Sequence, residues 1–183
     1  MGMTDEARAG NDLYATFDTT QGQIVVKLFP KDAPDSVASF VGLATGELEF
    51  TDPKTQEKTK RPFYDGTVFH RVIDGFMIQG GCPLGSGRGN PGFNVKDEFQ
   101  SGRTFDKVGL LAMANIGRPH TNGSQFFLTT SKPTYLNNKH TIFGEVVKGY
   151  DIVEKISKVA RDGDDRPRTP VTVNKLTIST TQP

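Results

Sequence analysis

Polar and apolar residues alternate from Tyr14 to Thr19, break at Thr20-Gln21-Gly22, and resume from Gln23 to Phe29. A period of two puts successive side chains on opposite faces of a strand, so this stretch predicts a hairpin that ends at Pro30. The period then changes. Asp32-Ala33-Pro34-Asp35-Ser36 supplies cap-type residues, with Pro34 where a first helical turn tolerates a missing N–H. Val37, Phe40, Val41 and Ala44 recur at helical spacing and Gly46 provides a stop, which predicts a helix. Residues 47–62 are polar and rich in Lys, Thr and Glu, and are expected to form a long exposed loop.

From Val68 onward short apolar segments alternate with glycine-rich turns. Val68–Ile73, Phe76–Gln79, Phe93–Lys96, Gly109–Met113, Gln125–Thr129 and Thr141–Val147 read as strands. A second helix is predicted at about Tyr150–Lys158, with Ile152, Val153 and Ile156 on one face. The chain closes with an alternating strand from Val171 to Ile178, expected to pair with the first hairpin. Many short strands with two helices argue for an antiparallel barrel or sandwich. Residues 1–12 are polar and are expected to be a flexible tail ahead of one domain spanning 13–183.

Composition narrows the function classes. The 183 residues suit one domain, and 22 Lys and Arg against 21 Asp and Glu leave a net charge of +1. Without a global basic bias, neither nucleic acid nor an anionic membrane surface is an expected partner. The single cysteine, Cys82, makes an intrachain disulfide impossible and reads as a small apolar residue, in a reducing compartment or in a chain indifferent to redox. No apolar stretch suggests a signal peptide or a membrane span, so a cytoplasmic, soluble protein is expected and the Asn122-Gly123-Ser124 sequon is discounted. His70, His120 and His140 lack a metal-type spacing, so no metal site is expected. Gly87-Arg88-Gly89-Asn90-Pro91-Gly92 formally matches a dinucleotide fingerprint, but the turn and strand read after it replace the required helix. Arg161, Arg166 and Arg168 are interleaved with Asp162, Asp164 and Asp165, as in a solvated loop.

Two blocks carry a specific resemblance. One is Phe69-His70-Arg71-Val72-Ile73-Asp74-Gly75-Phe76-Met77-Ile78-Gln79-Gly80-Gly81. The other is Leu111-Ala112-Met113-Ala114-Asn115 followed by Thr121-Asn122-Gly123-Ser124-Gln125-Phe126-Phe127-Leu128. With Phe63–Thr67 and Leu136–Gly144 in the same order, the chain resembles the cyclophilin-type peptidyl-prolyl cis/trans isomerases from about Tyr14 to Ile178, in a bacterial, single-domain form. The resemblance implies a mainly β fold: a closed eight-stranded antiparallel barrel capped by two α-helices, with a groove on its outer face. It implies Arg71 as the catalytic cation and Phe76, Met77, Phe127 and Leu136 as the lining of a prolyl pocket. Gln79, Ala114, Asn115, Gln125 and His140 would flank the peptide backbone, with Tyr135 at the rim and Ile116 beside a neighbouring subsite. No cofactor or metal is implied. The implied partners are proline-containing peptides and unfolded proteins, bound by a monomer that assists folding.

Each residue also has a plainer reading. An arginine taken alone is usually a surface residue. Strand alternation would group Arg71 with Phe69 and Ile73, however, and a cation on an apolar strand face needs a reason. The same alternation sends Phe126 to the core if Phe127 faces the groove. His70 and His140 read alone as ordinary hydrogen-bonded histidines. The chain departs from the family pattern at Tyr135, where Trp is common; the lost indole donor implies weakened cyclosporin affinity. Ile116 replaces a smaller residue and is expected to bias the choice of residue before proline. A binding module without catalysis is the rival reading; intact Arg71 and groove residues favour the enzyme.

Overall fold

The structure is a computed structural model and describes residues 2–183. Its elements run α1 (Met3–Arg8), β1 (Tyr14–Thr19), β2 (Gly22–Leu28), α2 (Pro34–Thr45), β3 (Phe50–Thr51), β4 (Lys58–Thr59), β5 (Arg71–Ile73), β6 (Met77–Gly80), β7 (Leu110–Met113) and β8 (Phe126–Thr129). A short 3-10 helix (Thr134–Leu136), β9 (Ile142–Lys148), α3 (Tyr150–Ser157) and β10 (Val173–Ser179) complete the chain. No helix among the described residues is long and apolar enough to cross a membrane.

Eight strands form one antiparallel sheet in the order β10-β1-β2-β9-β7-β8-β6-β5. The closed barrel is corrected to an open, curled sheet, because edge strands β5 and β10 share no ladder. The predicted strand at Val68–Ile73 becomes regular only at Arg71. The chain just before β5 instead meets the chain just before β10 through an isolated bridge, Val68 to Thr172. Phe69 N donates to Val171 O at 2.9 Å and Gly66 N to Val173 O at 2.7 Å, so irregular backbone covers the seam.

The register divides the side chains. Val72, Ile78, Leu128 and Leu111 stand opposite one another across β5, β6, β8 and β7, and all four are buried inside the curl. There Phe17, Phe40, Tyr64, Phe69, Phe126 and Phe143 pack as tilted and edge-on aromatic pairs, such as Phe40–Phe143 at 5.3 Å between centroids. Edge-on contact suits the ring quadrupole, so the interior gains more than area burial alone. Helix α2 begins at Pro34, ends at left-handed Gly46, and is buried from Ser36 to Ala44. Helix α3 buries Val153 and Ile156, with Ile152 half-buried beside them.

Four expectations need correction. Residues 1–12 contain α1, which packs on α2 and buries Ala7, while Arg8 pairs with Asp35. The α-helices therefore number three, with α1 lying on α2. A six-residue, mostly polar helix carries too short an apolar stripe to be read from the sequence; its hold comes from buried Ala7, half-buried Met3 and one ion pair to α2. The 47–62 loop holds the β3–β4 hairpin and buries Phe50 against Phe63 at 4.7 Å. Phe93–Lys96 is not a strand; only Val95 makes a bridge, to Asn122.

Candidate active site

The outward-facing register row is Arg71, Gln79, Phe127 and Ala112, neighbours across β5, β6, β8 and β7. Directly opposed residues in antiparallel strands share a face, so local alternation and strand order together build this row. A parallel row pairs Ile73 with Met77 and Met77 with Thr129. Around them lies a second apolar cluster, separate from the interior: Phe29, Met77, Phe105, Leu110, Ala112, Ala114, Phe127 and Ile142. Ile73, Phe76 and Leu136 are half-buried against it.

Met77 and Phe127 are nearly wholly buried in that cluster, and Phe105 stacks on Phe127 at 6.0 Å and 14°. Phe126, next in the chain, belongs to the interior instead, as alternation requires. Tyr135 is 64% exposed and its ring lies 6.2 Å from that of Phe76. The grouping of Arg71 with Phe69 is overturned. Phe69 precedes the regular strand and packs inward on Phe126, whereas Arg71 stands exposed on the outer face with Ile73 half-buried beside it.

Arg71 makes no ion pair among the described residues; its Nη1 donates to Gln79 Oε1 over a long 3.4 Å. Gln79 Nε2 donates to Gln125 Oε1 at 3.1 Å. Gln125 Nε2 then donates to Gly87 O at 2.9 Å and Gly89 O at 3.1 Å. A polar strip thus runs from a free guanidinium to the glycine loop 80–92. That loop turns at Gly81, whose φ is +85° and where a Cβ would lie 2.6 Å from Ser124 O. Only glycine fits there.

Cys82 is the buried pin of the loop, its Sγ accepting from Gly87 N at 3.3 Å and Gly89 N at 3.2 Å. Burial pushes the thiol pKa up, but the loop's backbone N–H groups outweigh it and hold the thiol below its ordinary value. His70 is buried with Nδ1 unpartnered, so it is not the ordinary hydrogen-bonded histidine expected. Burial, with Arg166 and Arg71 nearby, pushes its pKa down to about 4.

On the other flank, His140 Nδ1 lies 2.8 Å from Met113 O. A carbonyl only accepts, so Nδ1 carries the proton and Nε2 remains the ring's acceptor. Asn115 Nδ2, 3.3 Å from the same Nδ1, therefore donates instead to Lys139 O at 2.9 Å. Phe127 meets the His140 ring edge-on at 5.2 Å. Ala114 is buried beneath this flank, and Ile116 is 72% exposed. Ile116 lines a cavity of about 500 Å³ that also touches Gln79, Asn115, Gln125, Arg88 and Thr121.

All twelve residues named from the sequence thus lie on or beside one face. Sequence reasoning missed Phe105, the carbonyls of Gly87 and Gly89, and the pin at Cys82. Phe105 sits in a polar stretch without periodicity, and a backbone acceptor has no residue-type signature.

Comparisons with known proteins identify the family of the chain. Residues 14–178 match the family model described as cyclophilin type peptidyl-prolyl cis-trans isomerase. The chain is 54% identical over 167 residues to peptidyl-prolyl cis-trans isomerase A of Mycobacterium tuberculosis, covering 90% of this chain and 91% of that one. It is 50% identical over 171 residues to isomerase B of Streptomyces anulatus, covering 92% and 97%. A Cryptosporidium parvum cyclophilin type isomerase, crystallised in the presence of the dipeptide Ala-Pro, superposes with a TM-score of 0.78 at 29% identity, covering 91% of this chain and 98% of that one.

Proposed function

Since this chain belongs to the cyclophilin-type peptidyl-prolyl cis-trans isomerases and is an enzyme of that activity, we propose that its catalysis runs through Arg71 on the outer face of the sheet. The observation that carries the reading is an exposed guanidinium without a carboxylate partner, at the end of a row that continues into Phe127. An Xaa-Pro bond turns slowly because amide resonance imposes a barrier of about 20 kcal/mol. No bond need break; the protein has only to bind the twisted amide better than either planar form. Twisting removes resonance and leaves a lone pair on the prolyl nitrogen. A guanidinium donor bonds that nitrogen, or the adjoining carbonyl, more strongly in the twisted state. Arginine suits the task because its charge is permanent and its donors form a rigid fork.

The other residues hold the peptide. Met77, Phe127, Phe76 and Leu136 grip the prolyl ring while the preceding residue turns. Asn115 and Ala114 pair with the extended backbone, Gln79 and Gln125 keep Arg71 in place, and His140 Nε2 accepts from the peptide. Substrates in this reading are Xaa-Pro bonds of unfolded or flexible chains, with assistance to folding as the consequence. The same reading makes the protein a cytoplasmic monomer whose cyclosporin affinity is weakened by Tyr135, in keeping with its single thiol.

The test is two-dimensional exchange NMR on a short Ala-Pro peptide with catalytic amounts of protein. Fast cis/trans exchange with the wild type and a loss of two to three orders of magnitude in Arg71→Ala are expected. Equal exchange with both proteins removes Arg71 from the mechanism, and binding without exchange makes the face a peptide-docking surface.

A further inference from the structure

The cavity of about 500 Å³ beside the groove differs from the other large cavities in charge. The cavity beneath β3 and β4 sets Lys54, Arg61 and Arg166 against Asp52 and Asp65. The cavity beside α1 sets Arg8 and Lys96 against Asp35 and Glu49. The groove-side cavity holds one charged residue, Arg88, amid amides, hydroxyls, glycines and Ile116. Among the described residues Arg88 forms no ion pair and no side-chain hydrogen bond. Its charge is therefore available to a ligand.

Its base is held firmly. The carbonyls of Gly87 and Gly89, on either side, accept from Gln125, and their N–H groups point at Cys82 Sγ. Arg88 N itself donates to Ser86 Oγ at 3.2 Å. A long cationic side chain on a pinned backbone loses less freedom on meeting an anion than one on a loose loop. The cavity also shares Gln79, Asn115 and Gln125 with the groove. An extended peptide advances about 3.3 Å per residue, so side chains within three residues of a bound proline reach it.

We propose that Arg88 makes this isomerase selective for peptides carrying a carboxylate side chain within three residues of the proline. The inference rests on the groove being the site of isomerisation. It names the substrate class: Xaa-Pro segments with Glu or Asp nearby rather than neutral or basic ones. The expected preference is about two- to fivefold in kcat/KM, the range of one solvent-accessible ion pair, and it shrinks as salt rises.

The test is a peptide series with a central Ala-Pro and Glu, Gln or Lys at each of three positions before and two after it. Exchange NMR measures each with the wild type, Arg88→Ala and Arg88→Glu at low and high salt. The readout is the Glu/Gln ratio within each protein, which cancels any general change in activity. At one or more positions that ratio is expected above two for the wild type, near one for Arg88→Ala and below one for Arg88→Glu, with the wild-type preference lost at 0.5 M salt. A ratio near one for the wild type at every position, or one that Arg88→Glu leaves unchanged, overturns the proposal. Failure to catalyse even the Gln peptides overturns the groove reading beneath it.

Discussion

The two faces of the curled sheet are built from neighbouring residues and differ in what they are for. The inner face packs Val72, Ile78, Leu111 and Phe126 into a closed aromatic and aliphatic core. The outer face carries the next residues along, Ile73, Met77, Ala112 and Phe127, in a cluster that stays partly open and is bordered by Arg71, Gln79, Gln125, Asn115 and His140. Inside, the apolar side chains are buried against one another and serve stability. Outside, the cluster keeps an incomplete edge at Phe76, Leu136 and Tyr135, and fixed polar groups beside it, as a binding site requires. Strand alternation lets one short segment serve both purposes without compromise between them.

The sharpest division is between Phe126 and Phe127. Phe126→Ala empties space among four aromatic neighbours, Phe17, Phe40, Tyr64 and Phe69, and is expected to cost about 3–5 kcal/mol in urea unfolding, with normal kcat/KM for the protein that remains folded. A similar activity loss in that variant would erase the distinction between the faces. Arg71→Ala comes next, with kcat/KM falling a hundred- to thousandfold, equivalent to about 3–4 kcal/mol, while its unfolding curve stays within about 0.5 kcal/mol of wild type. Loss of stability instead would make Arg71 a structural residue.

His70 gives a pH test of the inner side. Its folded pKa, about 4, lies below the ordinary value of 6.5, so the unfolded chain binds the extra proton first. The stability this neutral histidine permits is complete above pH 6.5 and declines as pH falls toward 4. His70→Gln is expected to flatten that slope by on the order of 2 kcal/mol between those limits, and identical slopes for the two proteins would contradict the burial argument.

Phe127→Ala is expected to lower kcat/KM about ten- to a hundredfold while costing less stability than Phe126→Ala, because its cluster borders solvent. The smallest effect lies at the rim. Tyr135→Trp restores an indole donor at an exposed position and is expected to tighten cyclosporin inhibition about five- to tenfold, the worth of one hydrogen bond. An unchanged inhibition constant would remove Tyr135 from inhibitor contact.

Much of this division was legible along the chain, because alternation is local. That Phe126 and Phe127 take opposite faces followed from a period of two, with the family resemblance assigning Phe127 to the groove, and the helix at Val37–Ala44 followed from its spacing, Pro34 and Gly46. The two blocks that carry the family resemblance contain most of the groove residues. Local period also misled: carried back past the start of β5, it grouped Phe69 with Arg71, although regular strand geometry begins only at Arg71.

Partners distant in sequence were decided by the tertiary structure alone. The first turn of α2 lacks a side-chain cap of its own; the buried Glu98 carboxylate accepts from Ser36 N at 2.7 Å and Asp35 N at 3.2 Å, from more than sixty residues away. Nothing near Pro34 announces this, since a capping carboxylate can come from any loop that the topology brings there. Helix α1, the open seam between β5 and β10, the stack of Phe105 on Phe127 and the glycine carbonyls that hold Gln125 belong with it. Within regular elements the sequence by itself determined which side chains share a face and which chemistry they carry, because those depend on a residue and its near neighbours. The tertiary structure decided which of them meet, because that depends on strand order and on loops closing around a common core.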